Sequence, residues 1–329
     1  MVLVTGANGA GKTNFLEALH LGTQGFSPRT RADAQMIRFG AQAGRVVLAG
    51  ERAGTAFTTD VSLASHESRR ASLNGSPLRS AEQLRSDLQT LVFTPDRLAV
   101  VKGAPATRRA YLDRSVGRIF PSKAQLPVEY AAAVGQRNAA LRRAAGGMST
   151  REALAPWSEA VVRFGTELVE ARSDAVALLA ASFSEFGEQL GLSRATLVYQ
   201  GDPPTLAELD ARVQRDLERG LTGVGPHLHD LRIAAGERDL RTYGSQGEQR
   251  IAVLALLFAE CRALGERIGA TPLVLLDDVL SELDGDRRRS LADIVVSNGQ
   301  TVITATAPAA LPVEPSQRLH VTPGRVDRA

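Results

Sequence analysis

The chain has 329 residues, of which 43% are hydrophobic and 23% are charged, and its formal net charge at pH 7 is +3. This composition is typical of a folded globular protein of one large or two ordinary domains, and it excludes a disordered chain. A single cysteine, Cys261, excludes an internal disulfide framework and favours a cytoplasmic location, and the apolar runs are too short to span a membrane.

A glycine-rich loop follows the first predicted strand, which covers residues 2–4. The loop fits the pattern G-x-x-x-x-G-K-[ST] throughout, and its residues are Gly6, Ala7, Asn8, Gly9, Ala10, Gly11, Lys12 and Thr13. Glycines allow backbone angles at which successive N–H groups surround an anion, and a helix predicted near Lys12 adds its positive N-terminal end. We therefore expect ATP binding, with Lys12 on the β- and γ-phosphates and the Thr13 hydroxyl on Mg²⁺. The other interpretation is a structural glycine-rich turn.

Short apolar strands are predicted next, at 46–48, 57–63 and 91–93, with a turn at 74–77. From about residue 105 to residue 222 the chain is rich in Ala and Arg, and apolar residues such as Val161 and Leu168 recur at helical spacing. Strands return at 273–276 and 301–303, where continuous runs are typical of parallel strands covered on both faces. The pattern predicts a doubly wound α/β sheet with a mainly helical insertion, and domain segments of 1–105, 106–222 and 223–329.

A second phosphate-binding segment is predicted at residues 243–250, which read Tyr-Gly-Ser-Gln-Gly-Glu-Gln-Arg. Ser245 and Glu248 have the spacing of a capping box at the start of a helix, which is the structural interpretation. In the functional interpretation, the Ser245 hydroxyl and the N–H groups at Gly247 bind a phosphate. Because we expect this segment on the far side of the subunit from Lys12, that phosphate would belong to the ATP of a second copy. The segment therefore predicts an ATP-dependent homodimer.

Two acidic residues, Asp277 and Asp278, follow the strand predicted at 273–276. A carboxylate at the carboxyl edge of such a sheet can hold Mg²⁺, and we assign this role to Asp277. Asp278 stands where a general base could orient the attacking water. The other interpretation is a strand end capped by solvated acids. Residues 279–284, which end in Asp284, are predicted to form a turn before a helix.

The three segments occur in the order found in ABC-type ATPases: residues 243–250 resemble the ABC signature motif, and residues 279–284 resemble the D-loop at the ABC dimer interface. Lys12 and Asp277 are 265 residues apart with no coiled coil between them, which resembles the RecF family. More of the sequence resembles that family: residues 37–40 resemble I-R-x-G, 93–98 resemble F-x-P-E-D-L, 101–105 resemble V-x-G-x-P, 108–113 resemble R-R-x-x-L-D, 245–250 resemble S-Q-G-Q-Q-R, and 276–284 resemble L-D-D-V-x-S-E-L-D.

This resemblance implies an ABC-type ATPase head that hydrolyses ATP slowly, dimerises around two ATP molecules and binds single-stranded and gapped double-stranded DNA. It also implies a RecR-type mediator as partner, help in loading recombinase, and roles in DNA repair, replication and the SOS response. The residues it places in the catalytic machinery are Lys12, Ser245, Gly247, Asp278 and Asp284. Arg108 and Arg109 become candidates for contacts with DNA phosphates.

Several positions depart from these patterns. Leu228 stands where the RecF motif G-P-H-R-D-D-L has arginine. Thr304 and Thr306 stand where transporters carry a histidine after the last sheet strand, and Gln89 is the candidate for the Q-loop glutamine. Only five residues precede Gly6, so we expect that the native chain begins further upstream and that an extended version binds ATP more tightly.

Two other classes of function stay open. An ATPase subunit of a membrane transporter would share the ATP site, and a small-molecule P-loop kinase would share the phosphate loop. The long insertion and the missing histidine argue against the transporter subunit, and the signature segment argues against the kinase. ATP binding is thus predicted from the residues themselves, whereas DNA binding is implied by the resemblance alone.

Overall fold

The structure is a computed structural model that describes residues 1–30, 32–52, 54–65, 67–80 and 82–329. Within these ranges the strands, in chain order, are β1 (Val2–Thr5), β2 (Ala43–Arg52), β3 (Thr55–Ala64), β4 (Glu67–Leu73), β5 (Ser76–Pro77), β6 (Thr90–Phe93), β7 (Ala195–Gln200), β8 (Asp230–Ala235), β9 (Arg238–Asp239), β10 (Leu273–Leu276), β11 (Thr301–Ala305), β12 (Gln317–Thr322) and β13 (Arg325–Arg328). The α-helices are α1 (Lys12–Gln24), α2 (Glu82–Asp87), α3 (Ala99–Lys102), α4 (Pro105–Ile119), α5 (Leu126–Ala145), α6 (Ala155–Gln189), α7 (Leu206–Arg219), α8 (Leu240–Tyr243), α9 (Gln246–Ile268) and α10 (Gly285–Ser297).

The chain folds into two compact units. The first comprises residues 1–97, 189–191 and 253–329, and the second comprises residues 98–188 and 192–252. The second unit thus includes residues 98–105 and 223–252, which the sequence assigned to the ATPase segments. The predicted segment boundaries at 105 and 222 rest on composition and stay a prediction.

The main sheet of the first unit has the strand order β13-β12-β1-β11-β10-β6. β1 is parallel to β11 on one side and to β12 on the other, and β10 is parallel to β11 and to β6. Leu3, Val4 and Leu275 are fully buried, as expected of strands that are covered on both faces. This arrangement confirms the predicted parallel sheet. It also places β11 between the strand of the phosphate loop and the strand that precedes the acidic pair.

A second, antiparallel sheet in the first unit has the order β2-β3-β4-β5. From residue 59 to the end of β3 the side chains alternate between buried and partly exposed, because successive residues of a strand point to opposite faces. Val61 and Leu63 pack with Leu21 of α1 and with Leu84 and Leu88 on the inner face. The predicted strands at 46–48 and 57–63 are therefore confirmed, and they are longer than their apolar centres.

Helices α4–α7 make up most of the second unit. The sequence at the two ends of α7 explains where this helix begins and ends. Thr205 caps its start by accepting a hydrogen bond from the N–H of Glu208 at 3.2 Å, while the Glu208 carboxylate accepts from the N–H of Thr205 at 2.9 Å. Gly220 ends the helix with a φ of 65°, a left-handed conformation that glycine adopts without strain. The helical character predicted for 106–222 is confirmed in these elements. No helix in the described ranges has the length and hydropathy needed to cross a membrane.

The second unit also contains the antiparallel sheet β7-β8-β9, and β7 lies within the region predicted as helical. Ala195 and Leu197 are buried, whereas Thr196 and Val198 are exposed, which is the two-residue period of a strand. The partner strand β8 lies beyond residue 222. The sequence prediction missed β7 because its pairing partner is distant in the chain.

Candidate nucleotide-binding site

The phosphate loop connects β1 to α1 at the carboxyl edge of the main sheet. Gly9 and Gly11 have φ angles of 79° and 108°, which L-residues with a side chain rarely adopt. Gly6 is required for space, because a Cβ at this position would lie 2.4 Å from the carbonyl oxygen of Val321. The sequence therefore uses glycine where the backbone turns sharply and where the loop begins beside β12.

Lys12 is the first residue of α1, and its side chain is 8% exposed. Its Nζ donates hydrogen bonds to the carbonyl oxygens of Gly6 at 2.8 Å and Ala7 at 3.0 Å. The first turn of α1 contains no acidic residue, so no carboxylate of that turn competes for the N–H groups at this helix end. The loop thus combines a cation, a helix N-terminus and unusual glycine conformations, which together suit a phosphate group.

Thr13 and Asp277 lie in contact. The Thr13 Oγ1 donates a hydrogen bond to Asp277 Oδ2 at 2.9 Å. Asp277 itself is buried, and its backbone N–H donates to the carbonyl oxygen of Phe93 at the end of β6. The structure therefore brings together the two residues that the sequence predicted as ligands of Mg²⁺.

The chemistry of these donors fits the magnesium ion of a bound nucleotide. In the ranges that the structure describes, no cluster of three or more His, Cys, Asp or Glu side chains could hold a metal by itself. Mg²⁺ prefers oxygen ligands and is commonly held by one or two carboxylates together with substrate phosphates. The Thr13 hydroxyl and the Asp277 carboxylate supply donors of that kind beside the phosphate loop.

Asp278 has an exposed side chain and a φ of 48°, an uncommon left-handed conformation for a residue other than glycine. Its backbone N–H donates to the Oγ1 of Thr304 at 2.8 Å, and its carbonyl oxygen accepts a hydrogen bond from Ser281 Oγ at 3.0 Å. The predicted general base is therefore next to the predicted metal ligand in a turn held from both sides.

Asp284 caps the start of α10. Its Oδ1 accepts a hydrogen bond from the backbone N–H of Arg287 at 2.9 Å, while Leu280 in the preceding turn is fully buried. These contacts explain how residues 279–284 hold their shape within one chain. A role for Asp284 at a dimer interface stays a prediction.

Ser245 and Gly247 belong to the second unit, at the start of α9. The predicted capping box is present: the N–H of Glu248 donates to Ser245 Oγ at 3.2 Å, and the N–H of Ser245 donates to Glu248 Oε2 at 2.8 Å. Arg238 also donates to Glu248 at 2.8 Å. The hydrogen bond from the Ser245 N–H, together with the one from Arg238, lowers the pKa of Glu248, so this carboxyl is ionised at neutral pH. Ser245 is exposed, and its contact with a phosphate of a second copy stays a prediction.

The structure assigns internal contacts to the two arginines considered for DNA. Arg108 is 3% exposed, and its Nε and Nη2 donate to the two carboxylate oxygens of Asp230 at 2.7 and 2.6 Å. Its Nη1 donates to the carbonyl oxygen of Gly103 at 2.9 Å. Arg109 is partly buried and donates to the carbonyl oxygen of His229 at 2.8 Å. The expectation that Arg108 contacts DNA is wrong, because the residue is buried and each of its three guanidinium nitrogens donates a hydrogen bond inside the protein.

Gln89 is also misplaced for the predicted Q-loop role. Its carbonyl oxygen accepts a hydrogen bond from the N–H of Leu273 at the beginning of β10. Since β6 and β10 are parallel, Gln89 lies at the amino edge of the sheet, opposite the edge that carries Asp277. The residue that follows β6 at the carboxyl edge is Thr94, which is buried.

Thr304, which the sequence placed only where transporters carry a histidine, has contacts in the site that the sequence did not predict. It is fully buried on β11, and its Oγ1 donates to Asp277 Oδ1 at 2.8 Å. Thr306, the other candidate at this strand end, is exposed. The signal for Thr304 was a threonine near the end of a mostly apolar strand, but only the strand order shows that it faces the acidic pair.

Comparisons with known proteins agree with this geometry. A protein-family model described as the RecF/RecN/SMC N terminal domain matches residues 1–319. The chain is 34% identical over 318 residues to the DNA replication and repair protein RecF of Heliobacterium modesticaldum, a match that covers 92% of this chain and 86% of that protein. It is 38% identical over 324 residues to RecF of Anaeromyxobacter dehalogenans, with the same shares of 92% and 86%.

A solved structure of the recombination mediator protein RecF with ATP, in the RecFOR pathway, superposes with a TM-score of 0.85 at 26% sequence identity. The superposition covers 100% of this chain and 91% of that one. The range matched by the family model contains the phosphate loop, the signature segment and the acidic pair.

Proposed function

The chain belongs to the RecF family, and we propose that it is an ATP-dependent DNA-binding protein of recombinational repair. In this proposal it is a slow, ABC-type ATPase of the cytoplasm that forms ATP-driven homodimers at single-strand gaps or junctions. There it helps to load recombinase together with a RecR-type mediator, as part of repair, replication and the SOS response. The relatives described above are RecF proteins, and they give no support to a transporter subunit or a small-molecule kinase.

The contact between Thr13 and Asp277 carries the proposal for the ATP site. These residues are far apart in the sequence, yet the Thr13 hydroxyl lies 2.9 Å from Asp277 Oδ2 at the end of the phosphate loop. Nucleotide-binding ATPases of the P-loop type need this pairing of a loop hydroxyl with a strand-end carboxylate. The RecF structure with ATP supports the same ligand.

The residues of this chain divide the work of ATP binding and hydrolysis. The Lys12 ammonium exchanges its contacts with loop carbonyls for the β- and γ-phosphates, and the loop N–H groups bind the same oxygens. Thr13 and Asp277 would hold Mg²⁺, which would neutralise negative charge on the phosphate oxygens. Asp278, with its exposed carboxylate, orients the attacking water and accepts its proton.

The second unit supplies the contact that makes hydrolysis depend on dimerisation. Ser245 is exposed at the start of α9, where the helix N-terminus favours an anion. In the dimer its hydroxyl and the N–H of Gly247 bind the γ-phosphate held by the other copy, and Asp284 lies at the same interface. DNA binding by this dimer is supported by the family alone.

The experiment that tests the proposal is a gel-shift titration of the purified chain with gapped duplex DNA, with and without ATP. We expect ATP to strengthen binding, and we expect Lys12→Ala to abolish this effect because it removes the cation of the phosphate loop. Lys102→Ala, a substitution of an exposed lysine, is the matched control and should behave like the unaltered chain. An undiminished effect of ATP on DNA binding in Lys12→Ala would exclude the assigned site.

A further inference from the structure

Thr304 connects the two acidic residues of the site. It lies on β11, between β1 and β10, and in the register of the sheet it follows Ile303, which is paired with Leu276. Its Oγ1 donates to Asp277 Oδ1 at 2.8 Å and accepts the backbone N–H of Asp278 at 2.8 Å. One buried hydroxyl therefore contacts the carboxylate of the first acid and the backbone of the second.

The two oxygens of Asp277 have different partners. Oδ1 accepts from Thr304, and Oδ2 accepts from Thr13 at 2.9 Å. The torsion that rotates a carboxylate has a broad energy profile, so it is its hydrogen bonds that set its orientation. The Thr304 hydroxyl thus fixes one oxygen and leaves the other directed at Thr13.

The backbone of Asp278 also depends on Thr304. A φ of 48° at a non-glycine residue persists only where neighbouring contacts hold it. The bond from the Asp278 N–H to Thr304 is such a contact, and the hydrogen bond from Ser281 to the Asp278 carbonyl is another. Together they hold the turn in which the Asp278 side chain is exposed.

We propose that Thr304 is a positioning residue of the ATPase site: its hydroxyl orients Asp277 toward the nucleotide-bound Mg²⁺ and holds the turn that presents Asp278. This inference rests on the proposed function. In this inference the neutral Thr304 hydroxyl on β11 fixes the position of the metal ligand Asp277 relative to the general base Asp278.

The test compares three variants of the full chain. Thr304→Val removes the hydroxyl and keeps the shape, and Thr304→Ser keeps the hydroxyl. Thr301→Val is the matched control, because Thr301 is also fully buried on β11, and its Oγ1 has no hydrogen-bond partner among the described residues. The measurements are the affinity for a fluorescent ATP analogue with Mg²⁺ and with EDTA, and hydrogen exchange of the peptide that contains the Asp278 amide.

We expect Thr304→Val to reduce the gain in affinity that Mg²⁺ provides by roughly 10- to 100-fold, the usual effect of removing a hydrogen bond to a metal ligand. Its Asp278 amide should exchange faster, whereas Thr304→Ser and Thr301→Val should keep both properties. A general loss of folding would lower binding with Mg²⁺ and with EDTA alike. If Thr304→Val does not fold, Thr304→Cys replaces it, because a thiol is a weak donor of similar size.

The possible failures are distinguishable. An unaltered chain that does not bind ATP would overturn the proposed function and this inference with it. An unaltered chain with Mg²⁺-dependent binding, together with a folded Thr304→Val (or Thr304→Cys) variant of equal Mg²⁺ dependence, would overturn this inference alone. An equal loss in Thr301→Val would also overturn it, since the effect would then come from packing of β11.

Discussion

Asp278 combines an exposed carboxylate with a left-handed backbone that is hydrogen-bonded on both sides. A residue with this backbone costs free energy unless its surroundings hold it, and such residues are common at functional sites. Aspartate tolerates the conformation better than bulkier residues do. The combination of strain and exposure therefore supports a chemical role for the side chain rather than a structural one.

We expect Asp278→Asn to bind ATP and form long-lived dimers while hydrolysing ATP at least about 100-fold more slowly, because the amide cannot accept the proton of water. Turnover and dimer lifetime can be followed by phosphate release and light scattering. Asp293→Asn, at an exposed position of α10, is the control. Full turnover in Asp278→Asn would remove this residue from the mechanism.

Single residues differ in how far the sequence reveals them. Lys12, Thr13 and Asp277 could be predicted because each occupies a fixed place in a local pattern, and the structure brings Thr13 and Asp277 into contact. Thr304 and Arg108 could not, since their partners lie on other strands or helices: Arg108 pairs with Asp230, which is 122 residues away. An arginine pair in a sequence does not show whether either arginine forms an ion pair with a carboxylate inside the folded protein.

At the start of α9, the Ser245 N–H and hydroxyl take part in a capping box, and the same residue is the proposed contact for a phosphate. The N–H of Ser245 is held by the Glu248 carboxylate, and the Ser245 hydroxyl accepts from the Glu248 N–H. The capping box stabilises the helix by about 1 kcal/mol. It also places a negative charge beside the proposed phosphate contact, and Arg238 partly neutralises that charge.

Glu248→Gln should strengthen ATP-driven dimerisation several-fold, because glutamine keeps the capping box and removes the charge that repels the partner's γ-phosphate. Ser245→Arg should have the opposite effect and block dimers while each monomer still binds ATP. Sedimentation velocity with ATP in the Asp278→Asn background measures both, and Glu237→Gln is an exposed control. Normal dimers in Ser245→Arg would contradict the signature assignment.

Two histidines in the segment before β8, His227 and His229, are partly buried in the second unit. The His227 Nε2 lies 3.0 Å from the carbonyl oxygen of Thr222, so it carries the proton, and Nδ1 accepts from the Tyr130 hydroxyl at 2.6 Å. Burial lowers the pKa of His227 and of His229. The folded state therefore favours the neutral imidazole.

Because the folded pKa lies below the ordinary value of about 6.5, the unfolded chain takes up protons first as the pH falls. The stability contributed by the neutral histidines is complete above that value and is lost as the pH falls through the lowered pKa. We expect the unfolding temperature to decrease from pH 7 to pH 5, and to decrease less in a His227→Gln, His229→Gln double variant. Thermal unfolding followed by circular dichroism provides the comparison, and equal slopes would contradict the prediction.

In the second unit, elements set by local signals could be predicted from the sequence, whereas an element set by a distant pairing partner could not. α7 could be predicted from its cap at Thr205 and its terminal Gly220, because these signals act within a few residues. β7 alternates as a strand should, but its partner β8 begins only at Asp230. Strand pairing is a long-range property, so the local pattern alone did not separate β7 from its helical surroundings.

On the scale of the whole molecule, the net charge does not show which arginines are exposed and which form internal ion pairs. The chain has 39 basic and 36 acidic residues, a balance that does not by itself indicate a nucleic-acid partner. Some arginines are internal: Arg137 is 1% exposed and paired with Asp216 at 2.8 Å, and Arg172 is paired with Asp113 at 2.7 Å. Only the exposed arginines can contribute to binding of DNA phosphates.

The complex of the ATP-bound chain with gapped DNA should weaken steeply with added salt, because each phosphate neutralised by arginine releases counterions. The slope of log affinity against log salt is about −0.9 for each phosphate contacted. Fluorescence anisotropy over a salt series measures this slope, with Lys12→Ala as the control that lacks the ATP-dependent part. A salt-insensitive complex would be contrary to phosphate contacts.

The strand order of the main sheet has a consequence for biosynthesis. β1 is made before both of its neighbours, β11 and β12, which come from residues 301–305 and 317–322. The contact between Thr13 and Asp277 spans 264 residues, so the ATP site has a very high contact order. Domains generally fold as units while the ribosome is still adding residues. The phosphate loop therefore acquires the strands on both sides of β1 only after translation has passed β12, and we expect ATP binding to follow the synthesis of that strand.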